Sequence, residues 1–147
     1  MSYKGYFKPK NPQKYKGNPS SIIYRSRWEL KLMMYLDDHK NVISWGSEEV
    51  VIPYRSPIDG RMHRYFVDFI VTKINTNGIK ETSLIEVKPA SQTRPPVIQE
   101  GNKSRRYINE VMTWGVNEAK WKAAKEYCED RKWSFHIFTE KELGIKF

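Results

Sequence analysis

The stretch Tyr65-Phe66-Val67-Asp68-Phe69-Ile70-Val71 constrains the fold of this chain more than any other. Its aromatic and β-branched residues predict a strand, extending over residues 61–74. Asn75-Thr76-Asn77-Gly78 follows as a turn signal. Residues 80–88 then read as the returning strand, ended by Pro89. The misfit is Asp68. A carboxylate in the most apolar part of a chain costs several kcal/mol if it is buried without a partner. A functional reason is the economical explanation for keeping it.

The returning strand supplies a candidate partner in Ile85-Glu86-Val87-Lys88. Alternate strand residues share a face, so Glu86 and Lys88 point one way while Ile85 and Val87 point into the core. A carboxylate and an ammonium held side by side suit phosphodiester hydrolysis. The acid would hold a hard divalent ion, normally magnesium with manganese as the alternative. The lysine would orient or deprotonate the attacking water. By itself, Glu-x-Lys at a strand end reads as a solvated ion pair worth little. The second acid changes the reading. If the hairpin loop spans the three residues Thr76 to Gly78, Asp68 faces Glu86 on the adjacent strand, and two opposed acids call for a cation between them. If the turn is the two-residue Asn77-Gly78, Asp68 faces Val87 instead. The sequence leaves both registers open.

Elsewhere, Ser26 to about His39 predicts a helix with Trp28, Leu32, Tyr35 and Leu36 on one face. Ser26-Arg27-Trp28-Glu29 has capping-box spacing, so Glu29 is either a helix cap or a third acid for a metal site; the same oxygens cannot fill both roles at full strength. Residues 48–54 read as a strand and 89–103 as a proline-bearing loop. Arg105 to Thr113 reads as a short helix, Asn117 to Arg131 as a firmer one, and Trp133 to Thr139 as a strand. Thr139 and Glu142 suggest a capping box on a last helical turn. The expected class is α/β (α+β), a small mixed β-sheet flanked by helices.

The charge distribution names the partner class. The chain carries a formal net charge of +9, and residues 1–28 hold seven Lys or Arg and no acid. Lysines there interleave with Tyr3, Tyr6, Phe7 and Tyr15, a mixture that suits phosphate contacts and base stacking. Residues 1–20 therefore read as a basic extended arm, either free or packed on its own domain, and residues 21–147 as a single domain. A field of this kind favours a polyanion, and nucleic acid is the commonest. No basic amphipathic helix argues for a membrane surface. The single cysteine, Cys128, rules out an internal disulfide and a Cys-based zinc site. No apolar run approaches membrane-spanning length, and the polar N-terminus does not read as a secretion signal.

Ser26 to Glu29 on an early helix, then Tyr54, Asp59-Gly60, Tyr65 to Phe69 and Ile85-Glu86-Val87-Lys88-Pro89, resemble in order and spacing the TnsA-like nucleases of the restriction-endonuclease-like PD-(D/E)xK superfamily. The small size and basic arm look more particularly like the head-completion nucleases of large contractile-tailed phages. The resemblance implies a restriction-endonuclease-like core and metal-dependent DNA cleavage. Asp68 would be the central ligand, with Glu86, Glu29 and the Val87 carbonyl beside it, and Lys88 the catalytic lysine. Val67 stands where the superfamily often has proline, which weakens the motif. Tyr54, His63, Lys120, Arg25 and Arg94 are candidate contacts to substrate phosphate. The phage resemblance further implies trimming of DNA at the packaged head, with portal or neck proteins as partners, in the infected host's cytoplasm or on the virion. The competing expectations are a non-catalytic DNA- or portal-binding head protein, an RNA nuclease and a transposase endonuclease subunit. The last would bring a further domain for which 147 residues leave little room. Nothing in the sequence sets an oligomeric state.

Overall fold

A computed structural model describes residues 4–144. The first structured pieces are β1 (Gly5–Tyr6), a 3-10 turn at Pro12–Lys14 and β2 (Ile23–Tyr24). Helix α1 (Arg27–Asp38) follows. Five strands come next: β3 (Val42–Ser47), β4 (Val51–Arg55), β5 (Met62–Phe66), β6 (Phe69–Ile74) and β7 (Lys80–Val87). The chain closes with α2 (Arg105–Arg131), β8 (Ser134–Phe138) and α3 (Glu140–Leu143). The central sheet has the order β3-β6-β7-β8, mixed because only β7 and β8 run parallel. The expected α/β class with a small mixed sheet is what forms.

Each sheet face is covered. Phe69, Val71 and Ile85 join Leu32, Met33 and Leu36 of α1, with Trp45 and Ile22, in one apolar core. Ile70 and Leu84 point the other way and meet Trp121, Ala124 and Cys128 of α2. Burying each of these large side chains contributes about 1.5–3 kcal/mol, so the two helices clamp the sheet from both sides. Ser26 caps α1 by accepting the Glu29 N–H at 3.1 Å. On that helix Tyr35 differs from expectation: it is exposed, and Met33 takes the buried position.

Residues 4–20 lie against the domain. β1 pairs with β2, Tyr15 is buried, and the backbone N–H groups of Lys10 and Asn11 donate to the Asp37 carboxylate at 2.8 and 3.0 Å.

Three element predictions need correction. The strand expected over 61–74 is two strands, β5 and β6, because the chain leaves the β4–β5 pair and enters the central sheet at Val67-Asp68. Strand β3 went unread because a bulge between Val42 and Ser44 breaks its alternation. The two helices expected over 105–131 are one. Gly115 costs a helix about 1 kcal/mol relative to alanine, and Trp114 and Val116 packing on the second core offsets it.

Candidate active site

The register of the β6–β7 hairpin decides whether the two strand acids meet. The Asn75 N–H donates to the Ile79 carbonyl at 2.9 Å, and Gly78 takes φ +77°, closing a loop of residues 76–78. Ile74 then pairs with Lys80 and Phe69 with Ile85. One residue further, Asp68 falls opposite Glu86. The three-residue alternative is therefore the one realised.

Asp68 sits at the bend between two sheets, where the strand ladder has stopped. Its carboxylate replaces a backbone acceptor and takes the Val87 N–H at 2.7 Å. Across the bend, the Glu48 N–H donates to the Asp68 carbonyl at 3.1 Å, with Glu48 in the left-handed region at φ +55°. Glu86 is 5% exposed, and its Oε2 accepts the Trp121 indole N–H at 3.1 Å. Glu86 thus points to the α2 face, which the helix covers, and not to open solvent.

The electrostatics follow from this crowding. Burial holds the Asp68 carboxyl well above the usual carboxylate range; the hydrogen bond to Glu86 and the charges of Glu86 and Glu29 push it further, while the Val87 N–H opposes them. Glu29 is raised as well, chiefly by burial, with the Arg25 backbone and charge opposing and Glu48 and Glu86 reinforcing. The three acids feel one another, so they form one electrostatic cluster. Their positions are looser than a finished cage: among the described residues no three His, Cys, Asp or Glu side chains stand at metal-ligating spacing. Glu29 spends Oε2 on the Arg25 N–H at 2.9 Å, so its side chain caps the chain entering α1.

Lys88 is the first residue after β7. Its backbone is fixed by a 2.9 Å bond to the Phe138 carbonyl, the residue is half-buried, and its ammonium has no ion pair among the described residues.

The expected phosphate contacts divide into separate places. Lys120 lies 5.5 Å from the Tyr65 ring and 5.8 Å from the Tyr54 ring, so Tyr54 and Lys120 do adjoin the acid cluster through Tyr65. His63 pairs across the β4–β5 ribbon with Tyr54 and is held by Asp59 at 2.9 Å. Arg25 bonds Glu48 at 2.7 Å beside Glu29. Arg94 stands apart, in the groove between the loop after β7 and α2.

Tyr65, Trp121 and Glu48 escaped the sequence reading. The Tyr65 hydroxyl is buried, makes no hydrogen bond of normal geometry and faces Glu86 and Asp68; burial and those two charges push its ionisation far up. Only a signal already in the sequence, the position of Tyr65 three residues before Asp68 in the same motif, hinted at it.

A family model for the TnsA-like endonuclease N-terminal domain matches residues 39–140. The chain belongs to the TnsA-like endonuclease family. It is also similar along its length to a protein named head completion nuclease from Enterobacteria phage T4, 41% identical over 153 residues that cover 99% of each chain. The TnsA-like match contains Asp68, Glu86 and Lys88, whereas Glu29 lies before it.

Proposed function

We propose that this TnsA-like endonuclease is a magnesium-dependent endodeoxyribonuclease that trims DNA at the packaged phage head. The observation that carries the chemistry is the Asp68–Glu86 pair facing across adjacent strands at the end of the sheet, with Lys88 two residues after Glu86 in the chain. Two opposed carboxyls whose compensation among the described residues is one N–H apiece need either a shared proton or a cation. An all-oxygen donor set suits a hard divalent ion. Asp68, Glu86 and the Val87 carbonyl would hold it, with Glu29 as the outer member. When bound, magnesium or manganese supplies polarisation of the phosphate oxygen and a lowered pKa for water.

The chain's own residues do the rest. Asp68 is anchored by Val87, and Glu86 by Trp121, so neither carboxylate is free to swing. The Lys88 ammonium would orient the attacking water and stabilise charge developing on the phosphate. Tyr54 and Lys120 would contact the phosphate backbone beside the cut. No described helix is long and apolar enough to cross a membrane. The name of the T4 relative supports a nuclease role in head completion; on this reading DNA is the substrate, portal or neck proteins are neighbours and the infected cell's cytoplasm is the place of action.

Plasmid DNA incubated with the protein and magnesium should be cut, and EDTA should stop it. Lys88→Ala should lower the rate by about 10²–10⁴-fold with the melting temperature unchanged. Equal cutting by Lys88→Ala, or cutting in EDTA, would remove the proposal.

A further inference from the structure

A groove of about 1230 Å³ runs between the proline-bearing loop after β7 and the N-terminal half of α2. That exceeds the roughly 300–1,000 Å³ of ordinary small-ligand pockets, so it fits a length of polymer better than a metabolite. Its rim carries Arg94, Arg105 and Arg106. Its wall includes Pro96 and Trp114, and Trp114 makes an edge-to-face contact with Trp121 at 5.8 Å. Its floor is Asn117. That side chain is 7% exposed, lines the groove, and has no hydrogen-bond partner among the described residues. Its amide therefore faces the groove with donors and an acceptor open to a ligand. One helical turn beyond Asn117 on the same helix, Trp121 donates to Glu86, so α2 links the groove to the acid pair.

We infer that this groove binds an unpaired DNA strand flanking the cut, so that the enzyme acts on DNA with a single-stranded segment. The lining decides between single strand and duplex. A duplex offers phosphates alone to such a groove, and the apolar wall and sunken amide would go unused. An unpaired strand offers both phosphates for the arginines and base faces and edges for Trp114 and Asn117. The inference rests on the proposed DNA-cleaving function only for the identity of the polyanion.

The test is fluorescence anisotropy in EDTA, where no cutting occurs, with a labelled oligodeoxynucleotide, its duplex and the RNA of the same sequence. The wild type should prefer the single DNA strand. The triple variant Arg94→Ala/Arg105→Ala/Arg106→Ala changes exposed side chains, so it should fold normally. It should flatten the dependence of log affinity on log salt by roughly 2, since each phosphate left unneutralised removes about 0.7 from the slope. Asn117→Asp keeps the shape and sets a charge at the floor; it should weaken binding by about tenfold. An unchanged salt slope and affinity in the triple variant would overturn the inference, as would tighter binding of duplex or RNA. Binding that behaves as expected in a protein that never cuts DNA would remove the proposed activity and leave the groove assignment standing.

Discussion

The two faces of the central sheet treat buried acids in opposite ways. On the α1 side, Asp37 is 2% exposed and its carboxylate receives the N–H groups of Lys10 and Asn11, while the rest of that core is apolar. The buried Trp45 indole N–H there lacks a partner, but it is a single neutral donor in an apolar setting. On the α2 side, Asp68 and Glu86 face each other, Glu29 adds a charge from the start of α1, and the Tyr65 hydroxyl sits buried without a hydrogen bond of normal geometry. The first arrangement closes on itself: the acid latches the N-terminal segment to the helix. The second is open-ended, because its polar groups are complete only with something the chain does not supply. Burial of an acid is therefore no mark of function. A cluster of charged and polar groups buried without satisfaction is.

The comparison predicts that the faces separate under mutation. The largest effect should come from the closed side. Leu36→Ala removes a fully buried side chain from the α1 core and should cost about 2–5 kcal/mol in urea unfolding, with the folded fraction cutting DNA normally. A specific activity that falls with stability would show that the α1 face also shapes the site.

Asp68→Asn should act the other way. The Asp68 carboxyl is raised in the folded protein, so its protonated form is favoured there and its contribution to stability is fully present below the unfolded pKa. That contribution is lost as pH rises through the raised folded value. In EDTA, the melting temperature of the wild type should fall relative to Asp68→Asn as pH goes from acid to neutral, and magnesium should reverse the loss. Parallel melting curves for the two proteins across that range would sink the account of Asp68 as an uncompensated charge.

Much of this was legible because the hairpin is local. Asn75 to Gly78 announces the turn and narrows the register to two choices, between which the Asn75–Ile79 bond and the positive φ of Gly78 decide. The strand-face argument for Glu86 and the cap at Ser26 are local too. What the sequence hid is tertiary. Nothing in the alternation of residues 61–74 says that the chain changes sheets at Asp68, and that bend is what frees the Asp68 carboxylate to take the Val87 N–H. Nothing near Glu86 says that an indole 35 positions away reaches it. Arg25 and Glu48 likewise meet across 23 positions, which spacing within one element never reveals.

A smaller effect divides the two roles of Glu29. Ser26→Ala should lose about 1 kcal/mol of stability, the usual cost of an N-cap, and leave cleavage intact. Glu29→Gln keeps an oxygen for the Arg25 N–H, so stability should hold while magnesium affinity drops. If Glu29→Gln binds magnesium and cuts like wild type, the glutamate is a cap alone, and the site has two acids instead of three.

The smallest stability change should come from Tyr65→Phe, and its smallness is informative. Deleting a hydroxyl that has a good partner leaves an orphan behind and costs about 1–3 kcal/mol, whereas deleting one that has none removes a penalty. The Tyr65 oxygen is buried and makes no hydrogen bond of normal geometry, so Tyr65→Phe should melt in EDTA at or slightly above the wild-type temperature. Trp121→Phe loses a donor that Glu86 does use, and should melt lower. Both sit on the same face against the same acid, so opposite signs for the two variants would establish that the face is incompletely satisfied by its own chain. A clear loss of stability in Tyr65→Phe would mean the hydroxyl already has a protein partner, and the contrast between the two faces would narrow to the acids alone.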